Sequence, residues 1–253
     1  MAHRRLIVLL TSLAPLLQAS AKQKAFQSTM SLTYPTPMIF GPPSGVHKST
    51  LIFLHGLGDS GSGWADVAEL DFGKRMRNTK IVLPTAPQRP ITLNMGMRMN
   101  GWFDLTSLDK INDREDEDGL KESMRYVDAL IAAEMEGGIP SERIMVGGFS
   151  QGGAVAVLAL RSQHRLAGIV ALSAYLPLRK FPPLLSPSNA ETPVLMCHGD
   201  ADPTVHFRFG QMSAEMLKEA GAQLSFKSYV GLHHGINTAE ITDVTNFISS
   251  ILS

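Results

Sequence analysis

The sequence holds a single cysteine, Cys197. No internal disulfide can therefore form, and no cysteine-ligated zinc cluster can assemble. Charge imbalance is absent as well: lysine plus arginine and aspartate plus glutamate number 23 each. A nucleic-acid partner recognised through a strongly basic face finds no support in that balance. No Asn-x-Ser/Thr sequon occurs, which neither supports nor excludes a secretory route. No internal repeat, linker or second core interrupts the chain. Its 253 residues suffice for one α/β domain with a substantial core and are short for two.

Acidic residues are also missing from the start of the chain, where the first is Asp59. His3-Arg4-Arg5 leads into an apolar run from Leu6 to Leu17, followed by Ala19-Ser20-Ala21. Basic, apolar and small-residue parts in that order suit a secretory signal. An acid-free leader with arginine and serine also suits an organelle transit peptide, and an uncleaved, dispensable tail is the third reading. The run is too short to remain as a bilayer-spanning anchor. Residues 1–30 are therefore read as a cleavable or dispensable leader, residues 31–49 as an irregular proline-rich arm, and residues 50–253 as the folded domain.

Apolar residues make up 44% and charged residues 18%, the balance of a globular protein. From Thr50 onward, apolar runs of strand length alternate with segments of helical period. Strands are expected at Thr50 to Leu54, Lys80 to Leu83, Arg143 to Val146, Ala167 to Ser173, Pro193 to Cys197 and Leu224 to Tyr229. Helices are expected from Trp64 to Leu70, Gly119 to Met135, Ala154 to Leu160, Phe207 to Ala220 and Ala239 to Leu252. The stretch from Pro84 to Asp104, with three prolines and three methionines, reads as a long structured loop, and the acidic run Asn112 to Asp118 as a solvated one. Alternating strands and helices give an α/β fold with one mostly parallel sheet covered on both faces.

Three loops at carboxyl ends of strands, where such sheets carry their chemistry, hold reactive residues. Gly148-Phe149-Ser150-Gln151-Gly152 is a G-x-S-x-G pattern at a strand-to-helix turn, the setting of a nucleophile elbow. As an alternative, a glycine-rich turn merely links strand to helix. His198-Gly199-Asp200-Ala201-Asp202-Pro203 follows the next-but-one strand, and Gly231-Leu232-His233-His234-Gly235 follows the last. The order Ser, Asp, His is that of α/β-hydrolases. A serine hydroxyl needs a neutral imidazole to take its proton, and the imidazole needs a carboxylate on its other nitrogen. Spacing alone leaves the base open between His233 and His234, and the acid between Asp200 and Asp202.

From about Leu51 to Leu252 the chain resembles the acyl-protein thioesterase / carboxylesterase (lysophospholipase-type) family of α/β-hydrolases. The stretches that carry the resemblance are Leu54-His55-Gly56-Leu57-Gly58-Asp59, Pro87-Gln88-Arg89-Pro90-Ile91-Thr92-Leu93-Asn94, Gly101-Trp102-Phe103-Asp104, Gly147 to Gly153, Leu172-Ser173-Ala174-Tyr175-Leu176-Pro177 and His198 to Pro203. It implies Ser150 as nucleophile, Asp202 as acid and His234 as base, with Asp200 shaping the acid loop. It implies backbone N–H donors at Leu57 and Gln151 for an oxyanion, and neither metal nor organic cofactor. Met95-Gly96-Met97-Arg98-Met99-Asn100 stands where the family has a flexible acyl-contacting loop. Met97, Met99 and Trp102 are accordingly expected to bind substrate, with Met95, Met97 and Met99 alternating onto one side. In the bland alternative they pack down into the core. Arg98 reads as a solvated surface residue or as a group favouring acidic substrates.

The expected activity is hydrolysis of long-chain acyl thioesters, with a general carboxylesterase or lysophospholipase as the alternative and a non-catalytic binding module as the reading from another class. The resemblance implies acylated protein or lipid ester as substrate, transient contact with a membrane surface and a monomer or weak homodimer. It also implies a cytoplasmic location, against which the leader sets secretion or organelle targeting.

Overall fold

A computed structural model describes residues 32–253; the proposed leader lies outside the described residues. The main sheet takes seven strands in the order β1-β3-β2-β6-β7-β8-β9. They are β1 (Met38–Phe40), β2 (Ser49–Leu54), β3 (Thr79–Leu83), β6 (Ile144–Phe149), β7 (Gly168–Leu172), β8 (Val194–Gly199) and β9 (Leu224–Tyr229). Only β1 runs antiparallel, pairing Met38 with Leu83; every other neighbour pair is parallel. The remaining strands, β4 (Gln88–Ile91) and β5 (Met97–Asn100), form a separate antiparallel hairpin.

Central strands β2, β7 and β8 are buried along their whole length, as expected of parallel strands with helices on both faces. Alternation sorts their side chains. Leu51, Phe53, Val170, Leu172, Leu195 and Cys197 point to one layer with Trp64, Phe72, Val244 and Ile248. That layer is closed by the helical segment 61–75 and by α4 (Thr238–Leu252). The opposite face takes α1 (Glu117–Glu136), α2 (Gln151–Leu158) and α3 (Phe207–Glu219). Helix α2 is buried at every position and so shows no polar stripe. The fold is the expected single-domain α/β-hydrolase arrangement.

Four local readings are corrected. The arm holds β1, which its flanking prolines concealed. Its Ile39 and Met38 stay exposed, so burial leaves no alternating pattern to read. The stretch 84–104 is a hairpin rather than a loop. Pro90 sits inside β4 opposite Arg98, a position a proline tolerates because β4 has a partner on one side only. The acidic run is not simply solvated: Asp116 caps α1 by accepting from the Gly119 N–H at 3.0 Å, and Glu115 accepts from the Leu178 N–H at 2.8 Å. The segment expected as a helix from Trp64 is a 3-10 turn followed by a π-helical turn, Val67–Phe72.

Candidate active site

Ser150 stands between β6 and α2 with φ 53° and ψ −118°, a left-handed, strained backbone at a non-glycine residue. Glycines make the corner possible. A Cβ on Gly148 would lie 2.4 Å from the Gly152 carbonyl carbon, and one on Gly152 would lie 2.3 Å from the Leu54 carbonyl oxygen. The turn is pinned by the Ser150 N–H, which donates to Leu172 O at 2.8 Å. The serine is thus presented at the carboxyl end of the sheet, at the N-terminus of a buried helix where developing negative charge is favoured.

Loops after β8 and β9 bring the partners in. The Ser150 hydroxyl donates to His234 Nε2 at 2.9 Å, and His234 Nδ1–H donates to Asp202 Oδ2 at 2.7 Å. Asp202 Oδ1 accepts the N–H groups of Thr204 at 2.8 Å and Val205 at 3.0 Å. Burial would raise the Asp202 carboxyl, but hydrogen bonds from His198 and His234 outweigh it and hold the group well below the usual carboxylate range. It is therefore ionised at neutral pH. His233, the neighbouring alternative, is exposed, and its ring joins neither contact. Asp200 accepts from the Gly231 N–H at 2.7 Å and so ties the acid loop to the histidine loop. Gly199 permits that closure, since a Cβ there would lie 2.0 Å from Leu232 O.

The loop after β2 lies against the serine: a Cβ on Gly56 would be 3.4 Å from Ser150 Cβ. Among the described residues, the backbone N–H groups of Leu57 and Gln151 have no protein acceptor. A web of side chains fixes this loop. Ala86 N–H donates to His55 Nε2 at 2.9 Å, so His55 Nδ1 carries the proton and donates to Gly56 O at 2.6 Å. Burial lowers the His55 pKa, which keeps the ring in that neutral tautomer. The Gln151 side chain accepts from Trp102 N–H at 2.8 Å and donates to Phe103 O at 2.7 Å. Neither His55 nor the Gln151 amide was legible as an organiser of the site, because their partners lie 31 to 49 positions away in the chain.

Trp102 corrects an expectation. It is fully buried, donates Nε1–H to His55 O at 2.8 Å and stacks with Tyr126 at 6.3 Å. It braces the loop from within and offers no surface to a substrate. Met97 and Met99 share one face of β5, with Met97 exposed and Met99 half-buried. Met95 departs from the expected alternation: it forms the hairpin turn with Gly96, at φ 55° and 77°, and is 90% exposed. Arg98 is exposed and donates to Gln88 O at 2.7 Å. The hairpin is anchored instead by buried Arg89, 3.6 Å from both Asp116 and Glu122.

The chain that carries this elbow and hydrogen-bonded Ser–His–Asp arrangement has known relatives. A family model described as phospholipase/carboxylesterase matches residues 39–252. The chain belongs to that family of α/β-hydrolases. As a family member it is a hydrolase, and its relatives are similar over most of their length. Acyl-protein thioesterase 1 of Neurospora crassa is 42% identical over 226 residues, covering 85% of this chain and 92% of the relative. Acyl-protein thioesterase 1 of Gibberella zeae is 44% identical over 222 residues, covering 84% and 94%. Among solved structures, Arabidopsis thaliana SOBER1 superposes with a TM-score of 0.77 at 32% identity, covering 81% of this chain and all of that one. Acyl-protein thioesterase 2 of Zea mays gives 0.76 at 30% identity, covering 87% and 100%.

Proposed function

We propose that this hydrolase is an acyl-protein thioesterase in which Ser150, His234 and Asp202 form the catalytic triad. The observation that carries the chemistry is the unbroken hydrogen-bond chain from Ser150 Oγ through His234 to Asp202, at 2.9 and 2.7 Å. Relatives of 42–44% identity named acyl-protein thioesterase 1 support the substrate class. Ser150 Oγ attacks the thioester carbonyl carbon as His234 Nε2 takes its proton. The oxyanion is met by the Leu57 and Gln151 N–H groups, each such donor being worth about 3 kcal/mol. The tetrahedral adduct collapses, the C–S bond breaks, and His234 returns the proton to the departing thiol. Water, deprotonated by His234, then attacks the acyl-serine and releases the fatty acid. Asp202 holds the tautomer and balances the imidazolium throughout.

Met97 and Met99 line the acyl side of the site, where unbranched thioethers adapt to chains of different length. Leu93, Met95 and Met97 at the exposed hairpin end suit transient contact with a lipid surface. The same apolar rim favours a lysophospholipase or general carboxylesterase as the second reading. The enzyme acts in the cytoplasm as a monomer or weak dimer, and residues 1–28 are dispensable for its chemistry. Among the described residues no helix is long and apolar enough to cross a membrane.

The test compares kcat/KM on an S-palmitoylated peptide, a lysophospholipid and a short p-nitrophenyl ester, with Ser150→Ala as control. A preference of about tenfold or more for the thioester is expected; preference for the lysophospholipid would overturn the substrate assignment. Deletion of residues 1–28 should leave a soluble, active enzyme, and imaging of the full chain with a C-terminal fluorescent tag should show diffuse cytoplasmic signal. Secretion or organelle import would overturn the location.

A further inference from the structure

Asp202 is held by two imidazoles rather than one. His198, at the end of β8, is completely buried, with Nε2 at 2.8 Å from Val205 O and 3.4 Å from Asp202 Oδ2. A carbonyl oxygen only accepts, so Nε2 carries the proton and is shared between that carbonyl and the carboxylate. The oxygen it approaches is the one that receives His234 Nδ1–H. Val205 closes the ring of bonds, because its N–H donates to the other carboxylate oxygen at 3.0 Å.

Packing alone does not account for an imidazole here. Among the described residues His198 Nδ1 has no hydrogen-bond partner, and an unsatisfied buried nitrogen costs stability that an apolar side chain of similar size would not. Space is nevertheless reserved for the ring. Helix α3 passes it at Gly210, where a Cβ would lie 2.2 Å from Nδ1, and Phe207 meets it edge-on at 5.8 Å. The fold leaves a nitrogen unpaired and omits a helix side chain to keep this donor on Asp202.

We propose that His198 is a positioning residue for the triad. It fixes Asp202 Oδ2 at the place where the His234 imidazolium needs it, and thereby links α3 to the catalytic base. The proposal rests on the triad reading above. Its effect belongs to the transition state, when His234 gains charge, and not to substrate binding.

The experiment measures kcat and KM for the full chain and for His198→Leu, His198→Gln and Gly210→Ala, with active sites counted by end-point fluorophosphonate labelling. His198→Leu removes the donor and should lower kcat about tenfold or more with KM nearly unchanged. His198→Gln places an amide N–H near the former Nε2 and should recover most of that loss. Gly210→Ala displaces the ring without altering any polar group and should lower kcat in the same manner, which keeps the test open if the leucine variant does not fold. An unchanged kcat in His198→Leu or Gly210→Ala would overturn the proposal. So would equal losses in the leucine and glutamine variants, or losses in which KM moves with kcat. Turnover retained by Ser150→Ala would instead remove the triad itself, so the two failures are distinct.

Discussion

The elbow and the β4–β5 hairpin flank the same loop, and they are built by opposite means. On the elbow side, Gly148 and Gly152 bring backbone against backbone, so that added methyl groups would meet main-chain atoms that cannot swing away, and a Cβ on Gly56 would press on the Phe149 ring at 3.2 Å. On the hairpin side, Asn100 alone ties the two together by hydrogen bonds among the described residues, accepting from Gly58 N–H and donating Nδ2–H to Asp59 O, both at 2.8 Å, and the rim's Met95 and Met97 are 90% and 55% exposed. Chemistry needs reacting atoms fixed closely, whereas acyl chains of varied length need a surface that can re-pack. One region is determined by sterics and the other is left adaptable.

The comparison breaks most readily at the relay. Ser150→Ala and His234→Ala should each lower kcat by several orders of magnitude, whereas His233→Ala should cost far less. Steady-state assay of the three variants checks this, and a dead His233→Ala beside an active His234→Ala would reverse the assignment. Next in size is Gly152→Ala. Its Cβ would fall 2.3 Å from Leu54 O and 2.4 Å from His55 O, so the end of β2 must move. A loss of about 1–3 kcal/mol in stability is expected, together with most of the activity, measured by denaturant melts and turnover.

A third test asks whether the rigid side conceals a titration. Glu240, at the start of α4, is fully buried, and among the described residues neither carboxyl oxygen makes a well-formed hydrogen bond. Burial raises the group from 4.5 to about 7, partly offset by the Asn237 backbone N–H. A raised acid binds its proton more tightly in the folded state, so its contribution to stability is full below the unfolded value. That contribution is lost as pH rises from 4.5 through about 7. Glu240→Gln should therefore raise Tm at pH 8 and leave it nearly unchanged near pH 4.5; an equal shift at both values would show that ionisation is not the cause. The smallest effect is expected at the adaptable rim. Each buried methylene contributes about 0.8 kcal/mol, so kcat/KM should climb with acyl length until the channel is full. Replacing Met97 and Met99 with serine should flatten the climb on p-nitrophenyl dodecanoate and spare the acetate. Equal loss at both lengths with a lowered Tm would assign the two methionines to the core.

Much of the fold was legible because it is written in local pattern. The apolar runs of β2, β7 and β8 are continuous because both faces are buried, and the elbow glycines sit where a sharp reversal requires them. Spacing left His233 and His234 undecided, since adjacent residues share every local signal; only the register of the resemblance separated them. The hairpin was hidden by Pro90, which is tolerated only because β4 lacks a second partner. Trp102 read as a contact for substrate because it follows the stretch that the resemblance made acyl-contacting, whereas its indole is consumed by His55 and Tyr126.

By itself the sequence determined the parallel sheet, the strand-to-helix corner at Ser150 and the order in which serine, acid and histidine arrive, since these follow from side-chain periodicity and from the conformational freedom of glycine. Tertiary structure alone decided how the His234 imidazole reaches Ser150, which carboxylate oxygen it leans on and why His198 stands behind that carboxylate. Those choices depend on distances between residues 84 and 32 positions apart, and hydrogen bonds select partners by geometry that no local pattern encodes.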